Sequence, residues 1–310
     1  MVKVEEFYFD SRDKKTKIHA MKWIPDREVK FVLQIVHGMA EHIERYDEFA
    51  RFLASEGVLV VGSDHLGHGK TAISSDDMGY FCEEDAASVL VRDVHRLKKI
   101  IQAEYLTKPY FILGHSMGSY IVRNYICRYG KGINGALLEG VSEQKDSRIK
   151  FGFTLCSIIA IFYGERHKSK LLNKILFGNY NQRIRNAVSE NAWMCGSSKV
   201  VEAYDADEKC GFTFTVNGFQ TICELANRAD NKKNLLEIPQ KLPVYILSGS
   251  EDPVGNYGKS GKHLFDRYRE IGLKDVQFKQ YEGCRHELLN EEIRFEIYEE
   301  IYHWILKKCK

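Results

Sequence analysis

The segment Gly114-His115-Ser116-Met117-Gly118 constrains the fold more than any other stretch of this 310-residue chain. Residues 109–113 before it are apolar and predict a buried strand, and apolar residues recur at helical spacing over 119–127. A serine between two glycines at a strand-to-helix turn adopts strained backbone geometry, which leaves its hydroxyl exposed. The glycines are required because a side chain there would collide with the neighbouring strand and helix. The motif therefore predicts a nucleophilic serine at position 116.

Strand and helix patterns alternate through the first 140 residues and again near the C-terminus. The first two strands form a predicted antiparallel pair, and amphipathic helix patterns separate most of the later ones. This alternation predicts an α/β fold in which a mostly parallel sheet is covered by helices on both faces. The predicted strands cover residues 7–10, 17–24, 31–36, 58–61, 109–113, 133–138, 242–249 and 276–281.

Residues 141–225 interrupt this alternation. They contain an uncharged run, 151–163, followed by a basic, asparagine-rich stretch. We therefore predict a core formed by 1–140 and 226–310, with one insertion at 141–225. The uncharged run is shorter than the roughly 20 residues that a helix needs to cross a bilayer. Two interpretations remain: a helix buried inside the insertion, or an amphipathic lid whose apolar side touches a membrane.

The last helix is predicted to be amphipathic. Its apolar residues recur at every fourth position, whereas glutamates occupy its other side, which predicts a helix that packs on the core and exposes an acidic face. The apolar positions are Leu289, Ile293, Ile297, Ile301 and Ile305, and the glutamates are Glu291, Glu292, Glu296, Glu299 and Glu300.

Composition excludes several classes of protein. The net charge of +2 offers no general basis for binding nucleic acid. The N-terminal residues are charged and lack the apolar core of a signal peptide. The eight cysteines include no C-x-x-C pair, which favours reduced thiols and a cytoplasmic location.

Two motifs for metal and phosphate binding are incomplete. His286-Glu287 begins an H-E-x-x-H pattern, but Asn290 stands where the second histidine ligand should be. Gly69-Lys70-Thr71 resembles the end of a phosphate-binding loop, but Asp64 replaces its first glycine. We therefore expect neither a metal nor a cofactor.

A serine nucleophile needs a base to take its proton and an acid to orient that base. In a sheet of this type the order along the chain is serine, acid, histidine, each at the carboxyl end of a strand. Asp252 follows the predicted strand 242–249, and His286 follows 276–281. Glu251 is the nearest alternative acid. The other late histidines, His263 and His303, lie within predicted helices.

The oxyanion formed by attack needs two backbone N–H donors. The first is expected from Met117, at the start of the helix that follows the serine. The second is expected from the loop 37–42, where His37-Gly38 lets backbone approach the substrate and Met39 supplies the N–H. A purely structural histidine–glycine turn is the alternative.

With these residues placed, the chain resembles the monoacylglycerol lipases and lysophospholipases of the α/β-hydrolase superfamily, a group that includes enzymes labelled serine aminopeptidases. The resemblance implies an eight-stranded sheet and a helical cap over residues 141–225, similar to bacterial members. It also implies Ser116, Asp252 and His286 as the triad, with the N–H groups of Met39 and Met117 as the oxyanion hole. The matching segments are HGMAEHIERYDEFA (37–50), GSDHLGHGKT (62–71), GHSMGS (114–119), SGSEDPVG (248–255) and YEGCRHELLNE (281–291).

These features predict a serine hydrolase that cleaves carboxylic esters of single-chain lipids through an acyl-enzyme. Residues 145–185 carry a net charge of +7 beside the apolar run, which favours transient contact of the cap with an anionic membrane, at the inner face if the protein is cytoplasmic. A short-chain carboxylesterase and a serine aminopeptidase on the same fold are the alternatives. The aminopeptidase would need an anionic pocket in a cap that is basic here. A non-catalytic binding protein would typically lack one triad residue, and all three are present. Acyl length, head group and oligomeric state stay open.

Overall fold

Eight strands form one sheet in the computed structural model of the chain, which describes residues 2–178, 180–187 and 189–309. The strand order is β1-β2-β4-β3-β5-β6-β7-β8. β2 pairs antiparallel with β1 and β4, and the remaining neighbours are parallel. The predicted α/β fold with a mostly parallel sheet is confirmed. The strands are β1 Lys3–Asp10, β2 Lys17–Ile24, β3 Phe31–Val36, β4 Val58–Ser63, β5 Tyr110–His115, β6 Gly135–Glu139, β7 Val244–Gly249 and β8 Val276–Tyr281.

Helices cover both faces of the sheet. Buried residues of α1 and α10 share one apolar cluster with strand residues such as Phe31 and Leu33, whereas α2, α3 and α9 share the other cluster with Val32. This alternation follows from the strand pleat, which sends successive side chains to opposite faces. The helices are α1 Asp47–Ser55, α2 Ala86–Glu104, α3 Met117–Tyr129, α4 Asp146–Tyr163, α5 Lys170–Phe177, α6 Ser198–Ala206, α7 Val216–Asp230, α8 Lys232–Leu235, α9 Lys259–Glu270 and α10 Arg294–Lys308.

The central parallel strands continue beyond their apolar residues. β5 was expected to end at Leu113 but extends to His115, which pairs with Glu139 at the end of β6. Hydrophobic pattern locates the buried part of a strand, whereas backbone hydrogen bonds decide where the strand ends. The two polar residues are therefore held at the carboxyl edge of the sheet, beside Ser116.

Helices α4 to α8 lie in the connection between β6 and β7. In α4 the side of Ile149, Gly152 and Cys156 is buried, and the helix packs against α7. The interpretation of 151–163 as a buried helix is wrong, because its other side is exposed. Phe151, Phe153, Ile158, Ile161, Phe162 and Tyr163 are 45% to 80% exposed. No helix in the described part of the chain has the length and apolar character needed to cross a membrane.

The C-terminal helix differs from its prediction at its first turn. It begins at Arg294, so Leu289 and Ile293 precede it. Glu291 is buried, and its carboxylate accepts hydrogen bonds from the backbone N–H groups of Arg285 (2.7 Å) and Gly196 (3.1 Å). The expectation that Glu291 is solvated is therefore wrong, because a buried turn needs an acceptor for those N–H groups.

Candidate active site

Ser116 lies in a strained turn between β5 and α3. Its φ of 53° and ψ of −117° are unfavourable for a residue with a side chain. A Cβ on Gly118 would stand 2.0 Å from the carbonyl oxygen of Val36, and one on Gly114 would stand 2.5 Å from that of Gly118. Both glycines are thus required by close packing of β3, β5 and α3. The turn holds the Ser116 side chain at the carboxyl edge of the sheet.

Asp252 and His286 meet at the same edge. Asp252 follows β7 and His286 follows β8, and both are almost fully buried. Nδ1 of His286 is 3.0 Å from Oδ2 of Asp252. The distance is that of a hydrogen bond, but the angle at the ring N–H is not. The other carboxylate oxygen, Oδ1, accepts a 2.9 Å hydrogen bond from the N–H of Val254. Asp252 is thereby anchored where it can orient the imidazole.

The imidazole of His286 packs over the end of β6. A Cβ on Gly140 would stand 2.7 Å from Cε1 of His286, and the His115 ring centroid is 4.8 Å from that of His286. Ser116 donates its backbone N–H to the carbonyl of Glu139 at 3.0 Å, so it lies beside the same strand end. Ser116 and His286 both line one cavity of about 690 Å³.

The loop 37–42 lies directly against the nucleophile. A Cβ on Gly38 would stand 3.1 Å from Cβ of Ser116, and Met39, Ser116 and Met117 line a common cavity. Met117 is the first residue of α3, so its N–H has no acceptor within the helix. The N–H of Met39 has no acceptor among residues 2–178, 180–187 and 189–309. Both N–H groups expected for the oxyanion hole are therefore near Ser116.

The alternative residues lie elsewhere. Glu251 has an exposed side chain, and its backbone N–H donates to Cys284. His263 is an exposed residue of α9 that pairs with Glu143, and His303 is exposed on α10. Among the described residues the structure brings Asp252, and not Glu251, to His286.

A buried charge network that was not predicted from the sequence surrounds the site. Arg45 bonds the carboxylates of Glu41 (2.7 Å) and Glu287 (2.7 and 2.8 Å). Glu41 also accepts from the N–H of Gly38, and its Oε1 is 3.0 Å from Nδ1 of His115. The network therefore links the loop 37–42, the residue before Ser116 and the residue after His286. The only signal for it was the i, i+4 spacing of Glu41 and Arg45 in HGMAEHIER.

Burial and charge act in opposite directions in this network. Burial disfavours a charged imidazole at His115, but the carboxylates of Glu139 and Glu41 outweigh it and raise its pKa to about 9. Burial likewise opposes ionisation of Glu41, yet His115 and Arg45 hold the pKa of that carboxyl well below its ordinary value. For Glu139 burial prevails and raises the pKa. The raised pKa favours the protonated form of His115, whose ring lies next to that of His286.

Two cavities of different character meet at Ser116. The smaller, of about 110 Å³, extends between α3, α4 and α7 and is bounded by Ile149, Ile222 and Ala226. The larger, of about 690 Å³, reaches outward past polar residues that include Asn173 and Asn191. Ser116 lines both cavities, so a substrate with one apolar and one polar end would have a place for each next to the serine.

A family model described as serine aminopeptidase, S33 matches residues 27–293. The chain belongs to this family of hydrolases. The predicted α/β-hydrolase superfamily is thereby confirmed, together with its eight-stranded fold.

This S33 family member is similar to proteins from several organisms. It is 27% identical over 286 residues to a monoacylglycerol lipase of Mycolicibacterium smegmatis, covering 92% of this chain and 91% of the relative. It is 28% identical over 294 residues to the monoglyceride lipase of Mus musculus, covering 91% and 84%. A carboxyl esterase from Bacillus coagulans, solved in complex with glycerol, superposes with a TM-score of 0.92 at 28% identity and covers 99% of each chain.

Proposed function

We propose that Ser116, His286 and Asp252 are the catalytic triad of a lipase that cleaves the ester of monoacylglycerol or lysophospholipid. The backbone of Ser116 carries this proposal, since a strained serine at a strand-to-helix turn, with both flanking glycines closely packed, has no evident structural use. The enzyme class is established by the family and its relatives: the chain is a serine-type ester hydrolase.

In the proposed reaction, the Ser116 hydroxyl attacks the ester carbonyl while Nε2 of His286 takes its proton. Asp252, 3.0 Å from Nδ1, keeps the proton on that nitrogen and stabilises the imidazolium. The N–H groups of Met39 and Met117 donate to the oxyanion. His286 then protonates the leaving alcohol, and an acyl-enzyme on Ser116 remains. His286 next activates a water molecule, which releases the fatty acid.

The two cavities support a substrate with one acyl chain. The apolar walls formed by Ile149, Ile222 and Ala226 suit the chain, and the wider cavity, whose lining includes Asn173 and Asn191, suits a glycerol-type head group. The relatives named monoacylglycerol lipase and monoglyceride lipase support the same assignment.

The exposed side of α4 supports transient contact with a membrane surface. Ile161 and Phe162 are 80% and 76% exposed, so a helix of the β6–β7 connection presents large apolar side chains to solvent. The net charge of +7 over 145–185 adds electrostatic attraction to anionic lipid. We propose that this helical cap rests on the membrane from which the substrate enters.

Removal of the nucleophile tests the triad. Ser116→Ala should lose at least about a thousandfold in monoglyceride hydrolysis, because the covalent step then has no nucleophile. Labelling by a fluorophosphonate probe should disappear in the same variant. Ser75→Ala, which changes an exposed surface serine, should behave as wild type. Hydrolysis or labelling that survives in Ser116→Ala would disprove the assignment.

Substrate class is tested on the wild-type enzyme with monoolein, a lysophospholipid and proline-nitroanilide. We expect turnover of one or both lipids and none of the anilide. A carboxylesterase is the second candidate, favoured by the similarity to the Bacillus coagulans enzyme. A series of p-nitrophenyl esters from acetate to palmitate separates the two: the lipase proposal fails if kcat/KM falls steadily as the acyl chain lengthens.

Vesicle sedimentation tests the membrane contact. Ile161→Ser combined with Phe162→Ser should reduce binding to vesicles that contain phosphatidylglycerol, because two exposed anchors are lost. Leu106→Ser is the control, since Leu106 is 76% exposed but lies between α2 and β5. Equal binding of all three proteins would refute contact through α4, while hydrolysis of short soluble esters should be unchanged throughout.

A further inference from the structure

Three potential metal ligands converge where the segment after α6 meets the loop after β3. A ring nitrogen of His42, a carboxylate oxygen of Asp207 and the Sγ atom of Cys210 all lie within 4.8 Å of one another. His42 is 5% exposed and Cys210 is 9% exposed. No other such group of histidine, cysteine and carboxylate side chains occurs within residues 2–178, 180–187 and 189–309.

The orientation of His42 fits a ligand. Its Nε2 is directed at Oδ2 of Asp207, 2.8 Å away. Its Nδ1 is buried, has no hydrogen-bond partner in the described part of the chain and lies 3.7 Å from a carboxylate oxygen of Glu44. Histidines that bind a metal through one nitrogen commonly direct the other N–H at a carboxylate, which fixes the ring. A small movement of the Glu44 carboxylate toward Nδ1 of His42 would form this second hydrogen bond.

We propose that His42, Asp207 and Cys210 form a binding site for Zn²⁺. Nitrogen, carboxylate oxygen and thiolate sulfur are the donors that zinc takes, whereas Ca²⁺ and Mg²⁺ prefer oxygen alone. Three protein ligands leave the fourth tetrahedral position to water. Cys210 binds as thiolate and releases its proton to solvent on coordination. The incomplete H-E-x-x-H motif at His286 plays no part, because these ligands are distant in sequence.

A metal at this site would crosslink two segments that meet beside the nucleophile, the loop 37–42 and the segment 204–211. Tyr204 donates its hydroxyl to the carbonyl of Ala40 at 2.9 Å, and Gly211 donates its N–H to the same carbonyl at 3.0 Å. Ala40 follows Met39 and adopts a positive φ of 53°. A cation held by His42 on one side and by Asp207 and Cys210 on the other would therefore lock the segment 204–211 onto the proposed oxyanion loop.

Cobalt(II) titration of the reduced, metal-free enzyme tests the proposal, because tetrahedral Co²⁺ absorbs in the visible region and a cobalt–thiolate bond adds a near-ultraviolet charge-transfer band. We expect both signals at a ratio of one ion per chain, displaced by Zn²⁺. Cys210→Ser should remove the charge-transfer band, and His42→Gln should weaken binding at least about tenfold. Cys309→Ser is the matched control, since Cys309 belongs to no such group of described residues. Zn²⁺ should raise the melting temperature of the wild type and of the control only.

Two results would overturn the site: absence of the charge-transfer band in the wild type, or its persistence in Cys210→Ser. Cys210→Ser replaces only the sulfur atom with oxygen, so this variant should fold. It therefore decides the question even if His42→Gln does not fold. These readouts do not involve ester hydrolysis, so the zinc site and the proposed lipase function are tested separately.

Discussion

Arg45 donates two parallel hydrogen bonds, of 2.7 and 2.8 Å, to the carboxylate of Glu287. The two residues are 242 positions apart, and Glu287 directly follows His286. Burial opposes ionisation of Glu287, but the Arg45 guanidinium lowers the pKa of its carboxyl. The ion pair therefore connects the loop that carries the proposed general base to the helical turn Ile43–Tyr46, which precedes α1.

Replacement of this arginine should be costly. Arg45→Met leaves the buried carboxylates of Glu41 and Glu287 without their cation, which lowers the free energy of unfolding by about 3–5 kcal/mol. We also expect kcat to fall, since both the His286 loop and the loop 37–42 lose an anchor. Urea unfolding of Arg51→Met is the control: its exposed pair with Asp47 is worth less than about 1 kcal/mol. Equal losses in the two variants would contradict the network.

The raised pKa of His115 predicts how stability depends on pH. Its folded pKa of about 9 exceeds the ordinary 6.5, so its stabilising charge is fully present below pH 6.5 and is lost as pH rises through 9. The shift corresponds to a contribution on the order of 3 kcal/mol. Urea midpoints should decline across this window in the wild type. In His115→Gln the decline should be much smaller, and an unchanged decline would show that other groups cause it.

A methyl group at Gly118 should distort the nucleophile turn. In Gly118→Ala the new Cβ would stand 2.0 Å from the carbonyl oxygen of Val36, so α3 must move away from β3. We expect a loss of about 1–3 kcal/mol in stability and a drop in kcat of about a hundredfold. Gly132→Ala is the control, because its nearest neighbour is the flexible Lys98 ammonium at 3.3 Å. Wild-type kcat in Gly118→Ala would refute the close packing.

The buried carboxylate of Glu291 should matter more than that of its exposed neighbour. Glu291→Ala removes the acceptor for the N–H groups of Gly196 and Arg285, and each unsatisfied group costs about 1–3 kcal/mol. Glu292→Ala should change the unfolding free energy by less than about 0.5 kcal/mol. Circular dichroism with urea measures both. If the two variants unfold at the same urea concentration, Glu291 has no structural role.

Local pattern was sufficient to predict the sheet and the positions of the three triad candidates. Strand β8 and its following His286 could be read from 276–286 alone, because alternation and turn residues act over a few positions. Ser116 could likewise be predicted from neighbouring residues alone, because its two glycines and the flanking strand and helix are contiguous in the sequence. Chain order at the carboxyl ends of strands then led to Asp252, with Glu251 as the alternative acid, and to His286 rather than the helical His263 and His303.

Contacts between distant segments decided the rest. Amphipathic spacing predicted that Glu291 lies on a solvated helix face. In the fold the segment that contains Gly196 packs against Glu291 and buries it. Charge and hydropathy likewise could not tell whether α4 was covered, because only the packing of α7 against one of its sides determines which residues remain exposed. The partners of Arg45 and of His42 were undefined for the same reason. A sequence pattern records the preference of each residue for water or for the interior, whereas its contacts depend on which remote segments the fold brings to it.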